Sequence, residues 1–142
     1  LSAKANARQP FRKLSFFSDK EGKTRVIGIV DYWSQSALRP LHLFVNRLLK
    51  SLDQDMTFNQ SKFTNNPISK GTHKFHSIDL SAATDRMPIL LQKRILSLFM
   101  TNDKVEAWHR LLTFYPFALQ SPCDGMTEVK YETGQPMGAY SS

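Results

Sequence analysis

The chain has 142 residues, of which 41% are hydrophobic, including ten Phe and two Trp. That supply of apolar side chains excludes wholesale disorder, and without a run of about 18 apolar residues no helix can span a membrane. The single cysteine, Cys123, excludes both a disulfide framework and a Cys-based zinc centre. The formal charge is +7. Most of it lies in residues 1–25, where seven Lys and Arg face only Asp19 and Glu21. Such a segment attracts polyanions through counterion release; a solvated basic end is the plainer reading. The chain starts at Leu1 and stops at Ser142 just after a Gly/Pro-rich turn, which reads as a fragment of a longer protein.

In chain order, Asp19-Lys20-Glu21-Gly22 predicts a turn. Residues 23–30 are rich in β-branched side chains and predict a strand, with Lys23 and Arg25 on one side of it. Residues 34–52 predict a helix whose stripe is Leu38, Leu41, Val45, Leu48 and Leu52, with Pro40 placed in its first turn. Residues 53–72 read as a loop. Residues 74–80 predict a strand with Ile78 and Leu80 on one side and Ser77 and Asp79 on the other.

A helix over about 86–100 follows, with Pro88 in its first turn and Leu91, Ile95 and Leu98 on one face. Another covers 103–115, with Val105, Trp108, Leu112 and Tyr115 as its stripe and Pro116 as its stop. Residues 123–125 suggest a turn, 127–131 a strand, and 134–138 a Gly/Pro turn. The order β-α-β-α-α-β indicates an α+β fold, mixed helices with a small antiparallel sheet.

Three constellations carry chemistry. In Asp79-Leu80-Ser81-Ala82-Ala83-Thr84-Asp85, a carboxylate at the end of a strand suits a divalent cation. Two-metal phosphoryl transfer needs carboxylates that hold metals about 4 Å apart. Asp85, where the chain turns toward a helix, is placed to accept a bond from a ribose hydroxyl. Equally, Asp79 can be a turn residue and Asp85 a first-turn residue favoured by the helix dipole. In Gly22-Lys23-Thr24-Arg25, two cations on one strand side can bind a triphosphate, or simply face solvent on an edge strand. In Gly134-Gln135-Pro136-Met137-Gly138, the glycines permit a sharp turn and a close backbone approach to a ligand. Ser141 and Ser142 then cap a helix or reach a sugar hydroxyl, and an ordinary strand-to-helix turn explains the segment as well.

The order of the three is more specific than any one of them. Residues 22–33, Gly-Lys-Thr-Arg-Val-Ile-Gly-Ile-Val-Asp-Tyr-Trp, resemble the basic fingers motif F of mitovirus RNA-dependent RNA polymerases. Residues 77–86, Ser-Ile-Asp-Leu-Ser-Ala-Ala-Thr-Asp-Arg, resemble their palm motif A, and residues 134–142 resemble the start of motif B. The resemblance covers about residues 22–142.

It implies a partial right-hand polymerase, fingers-like to about residue 73 and palm-like over 74–142. It implies an RNA template and nucleoside triphosphates as partners, and a mitochondrial location. Lys23 and Arg25 would neutralise the triphosphate. Asp79 would be catalytic and bind Mg²⁺. Asp85 would help select ribose, Gly134 would belong to the loop supporting the nascent base pair, and Ser141 would join the ribose-sensing group. The family's motif C, a Gly-Asp-Asp, and its thumb lie beyond this chain. The expectation is therefore weak or no Mg²⁺ binding by this piece and no polymerisation by it alone. The alternative is a non-catalytic RNA-binding remnant that keeps the electrostatics.

Overall fold

The computed structural model describes residues 10–20, 22–62, 74–121 and 125–141. Two hairpins make its four-stranded sheet. Strand β1, Lys13–Ser18, pairs antiparallel with β2, Thr24–Ile29, from Lys13 opposite Ile29 to Ser18 opposite Thr24. Gly22 closes their turn at φ 76°, a left-handed conformation natural only to glycine, and donates its N–H to the Asp19 carbonyl at 2.9 Å. Strand β3, Phe117–Ser121, pairs antiparallel with β4, Gly125–Val129. Their connection, including the turn expected at 123–125, lies partly outside the described residues.

The hairpins join where β1 runs parallel to β3 at Lys13 and Ala118, giving the order β2-β1-β3-β4. The sheet is therefore mixed, not antiparallel as expected. Strands β1 and β3 have no counterpart in the sequence reading. Basic residues mask the short apolar run of β1, and β3 earns its place by burying Phe117 completely.

Helix α1 spans Tyr32–Lys50, starting two residues earlier than the apolar stripe suggests. Asp31 sets that start, because its carboxylate accepts the Ser34 N–H at 2.8 Å. Pro40 lies inside the helix, contrary to the first-turn placement. It is exposed there, so its ring meets solvent while Leu38 turns into the core.

Residues 74–80 form no strand, which corrects the expectation, and every one of them is exposed. A strand needs backbone partners, and among the described residues no strand pairs with this segment. The helix expected over 86–100 is shorter and starts later, after a separate single turn. Helix α2 is one turn, Ala83–Arg86, and α3 covers Ile89–Leu96. Pro88 forces Met87 into extended backbone (φ −65°, ψ 121°) and caps α3 instead of lying in its first turn. Leu91, Ile95 and Leu98 are exposed, and Ile89 is the side chain that α3 buries. Helix α4, Asn102–Thr113, buries Val105, Trp108 and Leu112, as its spacing predicts, but it ends before Tyr115, which is exposed and not part of a buried stripe.

The core gathers Val30, Leu38, Ile89, Trp108, Leu112, Phe117 and Ala139. It is drawn from both the 1–73 and the 74–142 stretches. Beneath its edge sits Arg12, 4% exposed. Its guanidinium donates to Asp31 at 2.8 Å, to the Leu111 carbonyl at 2.7 Å and to Ser34 Oγ at 2.6 Å. One buried cation thus ties β1 to the start of α1 and the end of α4.

Candidate functional site

The segment 134–141 has no regular secondary structure, yet its residues 134–136 and 139 are buried. It is held from two sides. On one side the Gln135 N–H donates to the Thr84 carbonyl at 3.0 Å, and the Ile89 N–H donates to the Thr133 carbonyl at 2.7 Å. A Cβ on Gly134 would overlap the backbone of Asp85 and Thr84, so only glycine permits this approach. On the other side the Gly28 N–H donates to the Met137 carbonyl at 2.8 Å. A Cβ on Gly28 would lie 2.6 Å from Pro136 Cβ. Gly138, at φ 111°, lies against Ile27 and the Gly28 carbonyl.

Side chains reinforce the fit. The Gln35 amide of α1 donates to the Gly138 carbonyl at 2.7 Å and accepts from the Tyr140 N–H at 2.9 Å. Gln135, 5% exposed, donates to Gln92 at 2.8 Å and to the Ser141 carbonyl at 2.9 Å. Ser141 Oγ accepts from the Trp108 indole at 3.0 Å and donates to Gln135 at 3.2 Å. The buried amide is thereby satisfied, and the segment is tied to its neighbours by a connected set of hydrogen bonds. The sequence reading missed Gln35, Gln92, Gln135 and Trp108 as holders of this segment. A glutamine between Gly134 and Pro136 was the available signal, since a polar side chain buried in a turn needs partners.

The residues singled out from the sequence fall into three places. Asp85 and Gly134 touch through their backbones. The Asp85 carboxylate is half-buried and hydrogen-bonds the Tyr131 hydroxyl. Burial first, then the Asp85 charge and that bond, push the Tyr131 hydroxyl up to about 12. Ser141 sits under the same segment, engaged with Trp108 and Gln135.

Lys23 and Arg25 lie at the turn end of the β1–β2 hairpin, both exposed. Arg25 stands about 10 Å along its strand from Gly28. Its guanidinium is bound to Asp19, with Nε at 2.8 Å and Nη2 at 2.7 Å. That hydrogen bond, and next the Lys20 N–H, hold the Asp19 carboxyl below the usual carboxylate range.

Asp79 is exposed on the irregular stretch 74–80, six residues before Asp85. The strand that was to present it does not form, but its carboxylate is open to solvent. No three acidic, His or Cys side chains cluster as metal ligands among the described residues. A lone exposed carboxylate does not make a Mg²⁺ site, because the ion needs several oxygen ligands in near-octahedral array.

The family model described as mitovirus RNA-dependent RNA polymerase matches residues 1–142. The chain is 44% identical over 137 residues to the RNA-directed RNA polymerase of Cryphonectria parasitica mitovirus 1 (strain American chestnut tree/New Jersey/NB631). That alignment covers 92% of this chain and 16% of the relative, so the chain spans under a fifth of the relative's length. No solved structure matches the chain significantly.

Proposed function

The chain belongs to the mitovirus RNA-dependent RNA polymerase family, and we propose that it forms the nucleotide-facing part of a viral RNA-directed RNA polymerase. The observation that carries this reading is the double docking of residues 134–138. They pack against Thr84 and Asp85 on one side and against Gly28 on the other. Three segments distant in sequence, each resembling a polymerase motif, are thus in direct contact. In this reading residues to about 73 are fingers-like and 74–142 palm-like. The template is RNA, and the site of action is the mitochondrion in which such a genome is copied.

Lys23 and Arg25 bind the triphosphate, whose charge must be offset as the phosphoryl group transfers. Arg25 exchanges Asp19 for phosphate, and the exchange is easy because the ion pair is exposed. Asp85, steadied by Tyr131, meets the ribose. Gly134 and its neighbours, locked in place, support the new base pair, with Ser141 beneath them. Asp79 contributes one carboxylate toward Mg²⁺, and the other ligands come from outside the described residues. This stretch alone therefore binds nucleotide but does not polymerise.

Binding of a fluorescent nucleoside triphosphate tests the assignment. Arg25→Ala weakens binding, while Asp19→Asn, which frees the guanidinium, strengthens it by up to about fivefold. If neither substitution changes affinity, the triphosphate assignment is wrong. Template-directed product from the purified chain would overturn its inactivity.

A further inference from the structure

A cavity of about 550 Å³ opens beside Arg12, Asp31 and Ser34, and none of its lining residues belongs to the 134–141 segment. Phe11, Trp33 and Tyr115 line it, three rings from three segments. Phe11 is 88% exposed and Trp33 78%, a costly arrangement for rings that no ligand covers. Trp33 is steadied by an edge contact with Tyr32 at 5.3 Å between ring centroids. Tyr115 is backed by the Arg12 guanidinium, 4.8 Å from its ring centroid. Trp33 and Tyr115 are thus held by neighbours while exposed, and Phe11 is exposed beside them.

The polar groups narrow the ligand. Arg12 is the one cation among the described lining residues. It is only 4% exposed, and Asp31 neutralises it. A phosphate gains little there. A flat neutral ring gains stacking on the aromatic faces, and exposed Glu128 on the wall offers an acceptor to an amino group. In sequence, residues 1–25 carry seven Lys and Arg against Asp19 and Glu21, a balance that favours a polyanionic partner able to present such rings.

We propose that the Phe11–Trp33–Tyr115 cavity is a stacking site for an unpaired base of single-stranded RNA. It is separate from the triphosphate and base-pair positions above. The inference rests on the polymerase reading, which supplies RNA as the partner.

Trp33 reports on the site itself, because Trp108 is only 4% exposed. A single-stranded oligoribonucleotide is expected to quench the intrinsic fluorescence of the chain. A duplex of equal length, whose bases are already stacked, and a free nucleoside monophosphate should leave it nearly unchanged. Trp33→Ala and Phe11→Ala should each weaken single-strand binding roughly 5- to 150-fold, with the slope against salt concentration unchanged. Trp33→Phe, which keeps a ring, should recover most of the loss. Both alanine variants alter exposed side chains, and a thermal melt verifies that each folds.

If the alanine variants bind single-stranded RNA as the parent does, the stacking site is refuted while the polymerase reading stands. The site is refuted in the same way if they keep RNA affinity but change oligomeric state, since the rings then serve a protein contact. Quenching by the monophosphate as strong as by the strand would refute the RNA assignment in favour of a free nucleotide. If the parent chain binds no RNA even at low salt, the polymerase reading of this chain falls and the inference with it.

Discussion

Gly134 shows what one missing methyl group permits. Its Cα lies so close to the backbone of Thr84 and Asp85 that no other residue fits without moving one of them. Gly134→Ala is expected to destabilise the chain by about 1–3 kcal/mol, the usual range for overpacking, and to separate residue 135 from Thr84. Urea denaturation measures the first, and amide exchange at Gln135 the second.

Arg12 and Asp31 matter in another way. Burial raises the Asp31 carboxyl, but the Ser34 bonds and the Arg12 guanidinium outweigh it and leave the group below the usual carboxylate range. Its folded-state pKa is depressed, so its contribution to stability is full above the unfolded value near 3.9 and is lost as pH falls through the folded value. An Asp31→Asn variant should show a flatter loss of stability below about pH 4 than the parent. Denaturation midpoints across an acid series check it. Equal slopes would mean the pair contributes nothing to acid sensitivity.

At the scale of elements, local pattern and tertiary demand separate cleanly. Helix α4 was legible because Val105, Trp108 and Leu112 repeat at helical spacing and all three find the core. Strand β2 was legible for its β-branched run. Helix α1 was legible too, but Pro40 was misplaced within it, because an apolar stripe locates a helix better than it locates its ends.

An interior proline removes one helical hydrogen bond and crowds the preceding turn. Since Pro40 is exposed, Pro40→Ala is expected to stabilise the chain by up to about 3 kcal/mol, read from the thermal midpoint. No gain would mean that the helix has adapted to the proline by bending. The stretch 74–80 marks the opposite case. Its alternation reads as a strand, yet alternation cannot supply a neighbour, and among the described residues none pairs with it.

For the whole molecule, the main feature is apolar surface left uncovered. Leu90, Leu91 and Leu98 near α3 are 67%, 51% and 77% exposed, and Ile78 is 84% exposed. Exposed apolar area of this kind promotes association, and the matching relative is several times longer than this chain. The isolated chain is expected to self-associate at micromolar concentration. Leu91→Lys combined with Leu98→Lys should reduce the assembly without lowering the thermal midpoint by more than a few degrees, because neither side chain is buried. Light scattering across a dilution series checks it. An unchanged mass for the double variant would place the association surface elsewhere.

Read alone, the amino acids were enough for the ancestry, the basic concentration at residues 1–25, the turn at Gly22 and the helix bearing Trp108. Those properties depend on composition, on motif order and on periodicities that repeat within a few residues. The mixed sheet, the burial of Arg12, the break at Pro88 and the seating of residues 134–141 between Gly28 and Thr84 were decided only in three dimensions. Each requires a partner tens of residues away, and the free energy of burying or pairing a group belongs to both partners together.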